Sequence, residues 1–117
     1  MKIEQIMSCL FELQYVSHVA HLQTTSYARH IALNELYTGT IDGLDALAEA
    51  WQGEYGIISG YSNLNSREGT DIVKYITECC SNLETFKKTL SEGYLQQLID
   101  NLLELFYTTK YKLVNLK

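Results

Sequence analysis

His18-Val-Ala-His21-Leu-Gln-Thr-Thr-Ser-Tyr-Ala-Arg-His30-Ile-Ala-Leu-Asn34 is the stretch on which the reading of this chain turns. It holds all three histidines of the protein, and helical spacing carries on from it through Asp45 to Glu49. Thr24-Thr25-Ser26 interrupts the pattern and offers N-caps, so one helix ends near residue 23 and the next begins near Tyr27. His18 and His21 stand three apart on the first helix and share a face. At about 100° per residue, His30, Asn34, Ile41 and Asp45 fall within roughly 60° of one another on the second helix, with Glu49 about 40° further round. A face of imidazoles can then meet a face of imidazole and carboxylates. That mixture of nitrogen and oxygen donors suits iron, manganese or zinc.

Outward from this stretch the pattern stays helical. Over residues 2–23, Ile3, Ile6, Leu10, Leu13, Ser17 and Ala20 form one stripe, with Met7, Phe11, Gln14, His18 and His21 beside it. The second helix is expected over 27–52, with Leu33, Leu36, Thr40, Leu44, Leu47 and Trp51 as its seam and Gly53 as its stop. Gly39 and Gly43, four apart inside it, are either sites of close helix contact or tolerated surface glycines. Residues 53–69 make the one long connection, rich in glycine and turn formers, with the reach to cross a bundle lengthwise. A third helix over about 70–89, capped by Thr70 or Ser66, carries Ile72, Ile76, Cys79, Leu83, Phe86 and Leu90. A fourth over about 94–114 carries Leu95, Leu98, Leu102, Leu105, Thr109 and Leu113, widened by Ile99, Leu103 and Phe106. Nine tyrosines close the ends and edges of a small core or lie at an interface.

Composition supports the same class. The 117 residues contain no proline and seven glycines, which favours long uninterrupted helices in one domain over 1–117. A net charge of −5, with no basic tail, argues against direct binding to duplex DNA. Cys9, Cys79 and Cys80 form no C-x-x-C and read as thiols of a reducing compartment. Glu4 and Glu12 interrupt the N-terminal apolar run, and no apolar segment approaches the length of a membrane span, so a cytosolic protein is expected.

Four helices with a long second connection describe a ferritin-like four-helix bundle. The spacing of His18, His30, Asn34, Asp45 and Glu49 also resembles that of the Dps mini-ferritins, as does Asp45-Ala-Leu-Ala-Glu49. His21 fits the first histidine position in a second register, where His21-Leu-Gln is similar to that family's H-W-N. The stretch from Leu95 through Asn101 to Leu113 resembles short Dps-like proteins of bacteriophages. Asn34 stands where the family has an aspartate, Leu22 where it has a tryptophan, and the chain lacks a basic tail. The resemblance implies a homodimer or larger assembly with a metal site between subunits. Histidines 18 or 21 and 30 would come from one copy, and Asp45 and Glu49 from another, with iron oxidised there by oxygen or peroxide. The second expectation is a non-enzymatic, phage-type protein on the same scaffold, which binds a host protein or sequesters a small ligand at its dimer interface.

Overall fold

The computed structural model describes residues 1–62 and 71–117. It contains four helices, and no strand occurs among the described residues: α1 (Ile3–Gln23), α2 (Tyr27–Tyr55), α3 (Ile72–Lys87) and α4 (Gly93–Asn115). The all-helical expectation holds.

The helices take the corners of a square. α1 packs on α2 and α3, and α4 packs on the same two, while the diagonal pairs are not adjacent. Cross-helix pairs show the directions. Between α2 and α4, Glu35 meets Lys112 at 2.7 Å, Gly39 faces Leu105, Gly43 faces Leu102, and Glu54 meets Tyr94 at 3.2 Å. Between α3 and α4, Glu84 meets Tyr107 at 2.9 Å and Lys87 meets Asp100 at 2.7 Å. Between α1 and α3, Cys9 meets Cys79 at 3.0 Å and Glu12 lies beside Tyr75. In each series one number rises as the other falls, so these pairs are antiparallel, as is the short α1–α2 hairpin.

The core follows the helical stripes. Ile6, Leu10 and Leu13 of α1, Leu33, Leu36 and Leu47 of α2, Ile76, Leu83 and Phe86 of α3, and Leu95, Ile99 and Phe106 of α4 are buried. On α4 the expected seam is rotated: Ile99 and Phe106 point inward, while Leu98 and Leu105 sit at its edge. Buried hydroxyls make no demand on the core. Ser17, Thr40 and Thr109 each donate to the carbonyl four residues back, at 2.7, 2.6 and 2.8 Å.

The ends correct several expected boundaries. α2 runs through Gly53 and stops at Gly56, whose φ of 94° is the left-handed backbone that glycine adopts without strain. α2 begins as expected, with Ser26 accepting from the Arg29 N–H. α3 begins later than expected, because the Asp71 carboxylate accepts from the N–H groups of Val73 and Lys74. The caps expected from Thr70 or Ser66, and part of the expected crossover, lie outside the described residues.

Candidate functional site

The turn at residues 24–26 folds α2 back along α1 and brings the three histidines together at one end of the hairpin. His21 and His30 are tied reciprocally. The His21 Nδ1–H donates to the His30 carbonyl at 2.8 Å, and the His30 Nδ1–H donates to the His21 carbonyl at 3.0 Å. Their rings stack with centroids 3.8 Å apart and planes 22° from parallel. Because a carbonyl only accepts, each Nδ1 must carry its proton, which leaves each Nε2 with the lone pair when the ring is neutral. His18 stacks on Tyr37 at 4.0 Å, and the Tyr37 ring stands edge-on to His21 at 5.2 Å. The Tyr37 hydroxyl donates to Asn34 Oδ1 at 3.2 Å. His21 is buried, and His18, His30, Asn34 and Tyr37 are half-buried.

Four of the six expected site residues therefore gather here: His18, His21, His30 and Asn34. Asp45 and Glu49 do not join them within one chain. Both are exposed on α2, and Asp45 lies about 16 Å along the axis from Asn34 at the α-helical rise. Among the described residues, no group of three or more His, Cys, Asp and Glu side chains is placed to hold a metal ion. The stacked pair shows why. Imidazole lone pairs lie in the ring plane, and a metal binds at about 2.0–2.1 Å. Two nearly parallel rings 3.8 Å apart cannot both aim at one point that close. Within one chain the histidines fit a structural clasp.

Tyr37 is the member that sequence reasoning missed. Its signal lay in the register: a turn as short as 24–26 fixes the antiparallel alignment of the hairpin and sets Tyr37 opposite His18.

The chain matches the model of a family of unknown function, DUF5856, over residues 21–113. It is also similar to an uncharacterized 14.6 kDa protein in the mobD-ri intergenic region of Enterobacteria phage T4. The two are 29% identical over 113 residues, 96% of this chain and 88% of the relative. No solved structure matches it. These findings overturn the resemblance to the Dps mini-ferritins. Steps of three and four are the ordinary periodicity of any helix, and here they serve to lock α1 against α2. The family match, running from the end of α1 through α2 and α3 into α4, places the chain in the family of unknown function DUF5856.

Proposed function

We propose that this protein is a non-enzymatic, phage-type interaction protein that works as a homodimer through the outer face of the α1–α2 hairpin. The observation that carries this reading is a row of exposed apolar side chains. Phe11, Tyr15 and Leu22 of α1 and Tyr27, Ile31 and Ile41 of α2 are all exposed, Leu22 to 70% and Tyr27 to 79%. The α1 trio spans about 40° of its helix and the α2 trio about 80°, and the two stripes flank the His18–Tyr37 stack on its solvent side. An apolar face of this kind is what protein interfaces bury.

Charge favours a second copy as the occupant. The first half of α2 brings the cationic Arg29 beside His30, and its second half Asp42, Asp45 and Glu49. A two-fold antiparallel pairing about the middle of α2 sets the histidine end of one copy against the carboxylate end of the other. The same reading extends to connectivity. With all adjacent pairs antiparallel, α2 and α3 point the same way, so the end of α2 and the start of α3 lie at opposite ends of the bundle, which supports a ferritin-like connectivity. Sixteen residues between the two helices reach at most about 50 Å when fully extended, enough for a longest dimension of 43 Å.

A second reading keeps a divalent metal between two copies, with imidazole from His18, His21 or His30 and carboxylate from Asp45 and Glu49. Its support is the Nδ1–H to carbonyl bond of His21 and of His30, the contact that orients many metal-binding histidines. Light scattering on protein purified without chelator, with elemental analysis of the same peak, tests both. The dimer reading expects twice 13.4 kDa for the wild type and a helical monomer for Ile31→Asp. A wild-type monomer at every concentration overturns it. A metal-free dimer leaves the interaction reading, whereas stoichiometric metal that Asp45→Ala removes favours the second.

A further inference from the structure

We propose that Cys9 and Cys79 form a disulfide that ties α1 to α3 when the protein meets a peroxide. The two sulfurs face each other across the α1–α3 seam, 3.0 Å apart. A disulfide bond is about 2.05 Å long, so the pair has about 1 Å left to close. Cys79 is 1% exposed and Cys9 half-buried, so the oxidant reaches Cys9 first. Cys80 is not part of the pair. It lies about 100° further round α3, beside Tyr107 and Lys110 of α4.

The chemistry balances in two steps. The Cys9 sulfur attacks one peroxide oxygen, the O–O bond breaks, and the thiol proton leaves with the departing oxygen as water. Cys9 is then a sulfenic acid. The Cys79 sulfur attacks that sulfenic sulfur, the S–O bond breaks, and the Cys79 proton leaves with the hydroxyl as a second water. Two thiols are oxidised to one disulfide, and one peroxide is reduced to two waters. The hydrogen bond with the neighbouring Cys9 sulfur, and then burial, push the Cys79 thiol well above its ordinary range. Proximity rather than thiolate activation therefore drives the closure, and it is slow. The bond joins the α1–α2 hairpin to the α3–α4 hairpin, which are otherwise linked covalently only by the backbone at residues 56–71.

The test is hydrogen peroxide treatment of the folded protein, alkylation without reduction, and mass spectrometry after trypsin. The expected product is a linked pair of peptides, 3–29 and 75–87, which hold Cys9 and Cys79. With Cys80 alkylated in both, it is lighter by about 2 Da than the two peptides with Cys9 and Cys79 as free thiols. The link forms in Cys80→Ser and is absent in Cys9→Ser. The oxidised wild type melts about 10 °C above the reduced protein, and dithiothreitol reverses the gain. This comparison needs no variant to fold. Peroxide-treated protein that keeps all three thiols, a link carried by Cys80, or bridges only between chains would each overturn the proposal.

Discussion

Gly43 and Leu102 meet so closely that a methyl group has no room. A Cβ at Gly43 would sit 2.4 Å from Leu102 Cδ2 and 3.0 Å from its Cγ, and one at Gly39 would sit 2.8 Å from Leu105 Cδ2. Leu102 is locked in the core, whereas Leu105 is half-buried and can turn away. Gly43→Ala is therefore expected to destabilise by about 1–3 kcal/mol, despite about 1 kcal/mol gained in helix propensity. Gly39→Ala should change stability by less than about 1 kcal/mol, because overpacking there and the propensity gain nearly cancel. Urea unfolding of both variants checks the pair of outcomes. Leu47, fully buried, should cost about 2–5 kcal/mol as Leu47→Ala in the same assay. The sequence left two readings for the glycines because spacing does not say what faces them. It carried Leu47 plainly, since that residue sits mid-seam.

On α3 the sequence carried the buried stripe and missed the start. Ile72, Ile76, Cys79, Leu83 and Phe86 are all buried as their four-and-three spacing predicts. The cap is Asp71, because its carboxylate reaches the first N–H groups of the helix. Asp71→Ala should lose about 1 kcal/mol of stability by thermal unfolding. The same helix sets the alkaline limit of the fold. Burial, foremost for Tyr75 and Cys80, and the adjacent Cys9 sulfur, foremost for Cys79, hold all three groups neutral. Tyr75 is raised above its ordinary 10.0, Cys79 above 9.0, and Cys80 up to about 11. A raised folded value means the unfolded chain sheds these protons first. Their contribution is thus complete below the ordinary thiol value of 9.0 and is lost as pH rises above it. The melting temperature in reducing buffer should hold from neutral pH to about 9 and then fall. A flat curve to about pH 11 would show that these groups ionise without penalty.

For the molecule as a whole, the net charge of −5 predicts no duplex DNA band shift at about 150 mM salt. Electrophoresis across a salt series checks it. The candidate site was legible as a gathering of histidines, because a three-residue break between two periodic segments fixes a tight hairpin. Its use was not legible, since a histidine spacing is the same whether Nδ1 finds a metal or a carbonyl. The reciprocal clasp of His21 and His30 also bears on the order of events in folding. It closes a short loop, so its entropic cost falls early and locally, before distant surfaces need to meet. The α1–α3 seam, where Cys9 meets Cys79 across most of the chain, has to wait for the hairpins to dock. Loosening the clasp should slow refolding, whereas loosening the seam should mainly speed unfolding. The histidine pair then acts as a timing element, deciding which half of the bundle exists first.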